Sequence, residues 1–165
     1  MAKAANSPHG DLSTVRIGVV GHGVVGSAFT ALVARQRDVI AARTGVLLDV
    51  VRIAVSDAGK HPAQVGGADV VTDAMAVATA KDVDLVVEAM GGTTLAGEVI
   101  RAALEAGKPV VTANKALLAA RSAEFFKIAD ERGIDLLFEA AVCGGIPLIR
   151  PLRESLRGEP IRRVL

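Results

Sequence analysis

A doubly wound α/β fold on a mostly parallel sheet is what this 165-residue sequence predicts. Short apolar runs alternate with longer stretches at helical spacing along the chain. The runs are nearly continuous rather than alternating, as in Ile17 to Val20, which is the pattern of strands covered on both faces. Hydrophobic residues make up 51%, mostly Ala, Val, Leu and Ile, and aromatic residues only 2%, which favours an aliphatic core. Right-handed crossovers then place helices on both faces of the sheet. The length suits one domain, and a second complete domain would not fit.

Residues 1–14 lack the apolar core of a signal peptide and predict a disordered tail, with the domain spanning 15–165. Val15 to Val20 predicts the first strand. Val24 to about Ala42 predicts a long helix, with Val25, Phe29, Leu32, Val33 and Val39 near helical spacing and Gly45 placed to close it. Leu47 to Val55 predicts strand two, and residues 58–69 read as a loop. Asp73 is placed to cap a short helix over Ala74 to Ala80. Asp84 to Glu88 predicts a buried strand, and Thr93 or Thr94 caps a helix from Leu95 to Ala106 that Gly107 ends. Pro109 to Thr112 predicts a strand, Ala113 to Arg132 a helix stopped at Gly133, Ile134 to Phe138 a strand, and Pro147 to Leu156 a helix.

Lys plus Arg is 19 and Asp plus Glu 18, so the formal charge is +1. That balance gives no electrostatic case for nucleic acid or an anionic membrane. No apolar stretch approaches the ~20 residues of a membrane span without charge or glycine. The single cysteine, Cys143, excludes an internal disulfide, suits a reducing cytoplasm and reads as a small buried filler.

Four strand ends are where ligands of such a sheet would bind. The first carries Gly21, Gly23 and Gly26 in G-x-G-x-x-G spacing between a strand and a helix. Gly21 permits a tight turn, Gly23 lets a pyrophosphate approach the main chain, and Gly26 lets helix and strand pack closely. The following helix points its free N–H groups at the phosphates. This predicts a dinucleotide site of Rossmann type; a tight turn without ligand is the alternative. The second end is Ser56-Asp57-Ala58-Gly59-Lys60. Asp57 would hold adenosine ribose hydroxyls and Lys60 a 2′-phosphate; a solvated polar loop is the other reading. The third, Glu88 to Thr94, has paired glycines, Gly91 and Gly92, that would let a flat ring approach the backbone at the nicotinamide end. Taken alone, the motif is read more simply as an ordinary helix start. The fourth holds Lys115 in the first turn of a helix, against the helix dipole. Lys115 is a candidate to bind substrate or orient the nicotinamide, or is a surface lysine.

Glu139 follows a strand and precedes A-A-V-C-G-G-I-P. A carboxylate with converging carbonyls makes an oxygen cage for a hard cation, although spacing alone favours a structural loop. His22 and His61 show no acid or metal partner in the sequence, and no H-E-x-x-H or C-x-x-C spacing exists.

Together, G-H-G-V-V-G (21–26), E-A-M-G-G (88–92), V-V-T-A-N-K-A-L-L-A (110–119) and F-E-A-A-V-C-G-G-I-P-L-I-R-P-L (138–152) make this chain resemble the nucleotide-binding half of homoserine dehydrogenase. The resemblance runs over nearly all of 15–165. It implies NADPH- or NADH-dependent reduction of L-aspartate 4-semialdehyde to L-homoserine, in threonine and methionine biosynthesis. It implies that Gly21, Val24, Val25, Gly26, Gly92, Thr93 and Lys115 touch the dinucleotide, and that Lys115 lies beside the reacting substrate. It also implies a monovalent cation, usually sodium, at Glu139, Val142, Gly144 and Ile146. Glu139 would give its side chain or main chain, and the others carbonyls. A cytoplasmic homodimer is the expected setting.

Two departures from the family stand out. An arginine often ends strand two and holds the 2′-phosphate; Ser56 stands about there and Asp57 follows, so NADP or NAD remains open, with Lys60 as a compensating cation. Family members also continue into an N-G-T-T-N segment and a substrate domain, whereas this sequence stops at Arg162-Arg163-Val164-Leu165. Ile161, Val164 and Leu165 read as the start of an unpartnered strand. The expectation is a fragment that supplies the cofactor-binding part and turns over little alone. A non-catalytic dinucleotide-binding module and an inert fragment are the competing readings.

Overall fold

The computed structural model describes residues 12–160 and Arg163. Its strands are β1 (Ser13–Val20), β2 (Val46–Ala54), β3 (Gln64–Val65), β4 (Ala68–Val71), β5 (Leu85–Glu88), β6 (Val110–Thr112) and β7 (Leu136–Leu137). Its α-helices are α1 (Val24–Thr44), α2 (Ala74–Thr79), α3 (Thr94–Glu105), α4 (Lys115–Arg132) and α5 (Glu139–Val142). The strands form one sheet in the order β3-β4-β2-β1-β5-β6-β7. Every neighbouring pair is parallel except β3 with β4. The α/β, doubly wound, mostly parallel sheet is therefore as predicted.

The apolar runs fill two cores, one on each side of the sheet. On one side Ile17, Val19, Ile53 and Val87 pack with Phe29 of α1. On the other, Val86 and Val110 meet Ile100 and Leu104 of α3 and Leu117 and Phe125 of α4. Such continuous apolar strands bury both faces because helices lie above and below them. Arg16 clamps the edge of the core by donating through Nε and Nη2 to Asp84 at 2.9 and 2.6 Å. That guanidinium, hydrogen-bonded to the Asp84 carboxyl, holds it down at about 2.

Several boundaries differ from expectation. β1 begins at Ser13, inside the segment expected as a tail, because Ser13 and Thr14 pair with Val46 and Leu47 of β2; residues 1–11 lie outside the described residues. The expected loop 58–69 contains a 3-10 turn at Ala58–Lys60, β3 and the start of β4. Ala68–Val71 forms a strand because β2 offers it a ladder, Arg52 to Ala54 against Asp69 to Val71. The strand expected over Ile134–Phe138 pairs only at Leu136 and Leu137. The last helix starts at Ile149 rather than Pro147 and winds as a π-turn over Pro151–Ser155. Pro151 has no N–H for an ordinary helical bond, and Leu156 N–H reaches back five residues to the Pro151 carbonyl. Cys143 is exposed, not a buried filler, because it lies just past α5, outside both cores. The strand expected to start at Ile161 lies outside the described residues.

Candidate functional site

The carboxyl ends of four strands line up across the sheet: Ala54 of β2 is level with Val20, Val20 with Glu88, and Glu88 with Thr112 of β6. The chain builds outward from β1 in both directions, through β2 on one side and β5 on the other. Connections leave that point to opposite sides and open a crevice above the strand ends. A cleft of about 450 Å³ lies there. It is lined by Gly21, His22 and Gly23 from the glycine turn, by Asp57, Lys60 and His61 after β2, and by Met90 and Gly91 after β5.

The glycine turn follows from three backbone demands. Gly21 takes φ 94°, and a Cβ there would lie 2.7 Å from the Ala89 carbonyl. A Cβ on Gly26 would lie 2.0 Å from the Gly21 carbonyl oxygen, so only glycine lets α1 start this close. A Cβ on Gly23 meets nothing within 4 Å; that position opens onto the cleft. Gly23 caps α1 without any side-chain hydrogen bond, so no side chain occupies the first-turn N–H groups. Val24 and Val25 stand in that turn, 88% and 56% exposed. An open backbone cradle before uncapped N–H groups fits the pyrophosphate of a dinucleotide.

After β2, one Asp57 oxygen accepts from Gly59 N–H at 3.0 Å and the other lies 3.2 Å from Lys60 Nζ. The carboxylate suited to a ribose and the cation suited to a 2′-phosphate thus neutralise each other on the cleft wall. His22 and His61, 39 positions apart in the chain, meet edge to face at 5.7 Å between ring centres. His22 also lies 3.0 Å from Thr30 Oγ1. Burial, then the neighbouring His61 ring, pushes the His22 imidazole below its usual range and keeps it neutral near pH 7.

On the β5 side, Gly92 takes φ 79° and Thr93 caps α3 without a side-chain hydrogen bond. The Gly92 carbonyl accepts from Asn114 Nδ2 at 2.8 Å, which ties this loop to the start of α4. Asn114 Oδ1 in turn caps α4, accepting from Leu117 N–H at 3.1 Å. Lys115 follows at the first position of α4 but does not line the main cleft. It borders a separate hollow of about 310 Å³ with Phe126 and Phe138, and with Ala141 and Val142 of α5. Glu88 is fully buried below these loops, bonded to Thr112 and Met90. Burial pushes its carboxyl above the usual range, partly offset by those hydrogen bonds.

The remaining candidates sit around α5. Both Glu139 oxygens are engaged, accepting from the backbone N–H groups of Leu148, Ile149 and Arg150. Those bonds, Leu148 first, hold its carboxyl below the usual range. The side chain therefore caps the final helical turn. Val142 ends α5, Gly144 takes φ 61°, and Ile146 N–H closes a turn onto the Cys143 carbonyl at 3.1 Å. Among the described residues no group of three or more His, Cys, Asp or Glu side chains converges as a metal site.

Thus the structure gathers Gly21, Gly23, Asp57, Lys60 and Gly91 on one cleft, with Val24, Val25, Gly26, Gly92 and Thr93 at its rim elements. It keeps Lys115 and Glu139 apart from that cleft. Sequence reasoning missed the roles of Asn114, Glu88 and the two histidines. Only the helix-capping position of Asn114 before an apolar run was a usable signal.

Residues 21–139 match the family model described as "Homoserine dehydrogenase, NAD binding domain". The chain is similar to the homoserine dehydrogenase of Corynebacterium glutamicum, 46% identical over 164 residues, covering 99% of this chain and 37% of that protein. That of Mycobacterium leprae is 44% identical over 160 residues, covering 93% and 35%. Among solved structures, a homoserine dehydrogenase from Thiobacillus denitrificans superposes with TM-score 0.82 at 39% identity, covering 88% of this chain and 34% of that one. A hyperthermophilic archaeal homoserine dehydrogenase in complex with NADPH gives TM-score 0.72 at 25% identity, covering 88% and 50%. The chain spans about a third of the length of the curated relatives it matches.

Proposed function

This chain belongs to the homoserine dehydrogenase family, and we propose that it supplies the NAD(P)(H)-binding part of an enzyme reducing L-aspartate 4-semialdehyde to L-homoserine. One observation carries the reading: the glycine turn, the end of β2 and the β5–α3 loop wall a single cleft above the uncapped start of α1. Gly21 and Gly23 leave the backbone bare for the pyrophosphate, and the first-turn N–H groups of α1 face its charge. Asp57 and Lys60 flank the adenosine end, and Gly91, Gly92 and Thr93 flank the nicotinamide end. When bound, the nicotinamide supplies a hydride to the substrate carbonyl carbon. Lys115 would polarise that carbonyl or relay a proton from its own hollow beside α5. The carbonyls of Glu139, Val142, Gly144 and Ile146 would hold sodium or a like cation next to it. The single cysteine, Cys143, supports a reducing compartment such as the cytoplasm, and a homodimer belongs to the same proposal.

A second reading, a dinucleotide-binding module without turnover of its own, is favoured by the separation of Lys115 from the main cleft. Paired NADH and NADPH titrations, with and without sodium or potassium, test both. Binding seen as changed nicotinamide fluorescence, lost in Gly23→Val, supports the cleft assignment. No response to either cofactor, or undiminished affinity in Gly23→Val, overturns it. Turnover of aspartate semialdehyde by the purified chain removes the second reading.

A further inference from the structure

Glu88 ends β5 with no exposed surface. A buried carboxylate is costly unless donors surround it, and here the donors come from two different loops. One oxygen accepts from Met90 N–H, at 2.9 Å, on the β5–α3 loop. The other accepts from the Thr112 hydroxyl at the end of β6. Thr112 Oγ1 accepts from Asn114 N–H at 3.0 Å, and Asn114 Nδ2 donates to the Gly92 carbonyl at 2.8 Å. The path closes on itself: Glu88 to Met90, along the chain to Gly92, across to Asn114, back to Thr112 and Glu88. Ala113 N–H adds a bond to the Glu88 carbonyl at 3.2 Å. This ring fixes two loops against each other, and one of them, through Met90 and Gly91, is a wall of the cleft. The β2-side wall is not part of it; Asp57 and Lys60 hold only their own 3-10 turn.

We propose that Glu88 is a positioning residue for the nicotinamide half of the dinucleotide, setting the Met90–Gly92 loop and the start of α4 through one closed hydrogen-bond ring. The proposal rests on the cleft being a dinucleotide site. Its specific consequence is asymmetry. Loss of the Glu88 carboxylate disturbs the wall beside β5 most, reaches the glycine turn only through the packing of Gly21 on Ala89 and Met90, and spares the wall beside β2. A ligand with no nicotinamide should sense it much less, whereas general loosening of the fold would weaken every ligand alike.

The experiment is calorimetric titration of the whole chain with NADH and with ADP-ribose, or with NADPH and 2′-phospho-ADP-ribose if only the phosphorylated cofactor binds. Glu88→Ala should weaken the complete cofactor by roughly tenfold or more. ADP-ribose affinity should fall several-fold less than that of the complete cofactor. Glu88→Gln, which keeps an acceptor for Met90 N–H, should fall between wild type and alanine. Should Glu88→Ala not fold, Thr112→Val opens the same ring at nearly constant volume and decides the matter with the same pair of ligands. Equal losses for both ligands, or no loss for either, overturn the role of Glu88 and leave the cleft assignment standing. Failure of the wild-type chain to bind any of the ligands removes the cleft assignment, and this proposal with it.

Discussion

A single Cβ added to Gly26 would come within 2.0 Å of a backbone oxygen, whereas a Cβ on Gly144 or Gly145 would meet nothing within 4 Å. The glycine turn at 21–26 and the segment at 139–157 are both glycine-bearing bends near strand ends, yet different forces hold them. Backbone sterics shape the first, although Val24 and Val25 within it are exposed. Gly21 and Gly26 are locked among Val19, Ala89 and Met90, so the turn has one way to be built. The second is gathered by one carboxylate. Glu139 collects three backbone N–H groups, while Ile146 stands 69% exposed and Val142, Leu148 and Leu156 are exposed beside it. Water competes for hydrogen bonds of the second kind but cannot fill the contacts of the first. A site that must present bare backbone to an anion needs the rigid kind.

Gly26→Ala should give the largest effect that separates the two regions. The methyl group overpacks a turn with no room to yield, at a cost of about 3 kcal/mol. A chemical denaturation midpoint measures it, and a change under ~0.5 kcal/mol would mean that the turn is far softer than its contacts indicate. Gly144→Ala, strained only by its positive φ, should cost about 1 kcal/mol.

Glu139→Gln should act more locally. Amide exchange at Leu148, Ile149 and Arg150 should quicken, while the glycine turn keeps its protection. Lowering the pH should likewise reduce the protection of these amides relative to their intrinsic exchange, which itself slows in acid. The Glu139 carboxyl titrates below its ordinary range when folded, so its contribution is complete above the unfolded carboxyl pKa and is lost as pH falls through the folded one. Equal acceleration in both regions would show that they open together.

Asp84→Asn should have the smallest effect. Arg16 and Asp84 are partly solvated, so the loss should stay below ~1 kcal/mol. It should be present at neutral pH and vanish as pH falls through about 2, where the native carboxyl itself takes up a proton. A melting-temperature difference that persists unchanged below that pH would locate the effect elsewhere.

Local signals in the chain were enough for α1, α3 and α4. The apolar spacing of α3, and Gly45 and Gly133 past the ends of α1 and α4, are written within a few residues of each boundary, whereas Val25, Leu32 and Val39 of α1 are exposed and α4 starts at Lys115, behind its Asn114 cap, rather than at Ala113. The glycine turn was equally legible, since its demands on φ and Cβ fall on neighbouring residues. β4 was not, because Ala68–Val71 carries little strand character and pairs with a strand more than ten positions away. The side-chain pairings in and below the cleft were hidden for the same reason. His22 meets His61, and Glu88 meets Thr112, only after parallel crossovers bring distant strand ends level. The separation of Lys115 from the main cleft, and the use of the Glu139 side chain as a helix cap, are likewise three-dimensional facts. Amino-acid order specifies steric and periodic constraints that act along the chain. Which polar groups then satisfy one another depends on register between strands, and register is settled by the packing of the whole sheet.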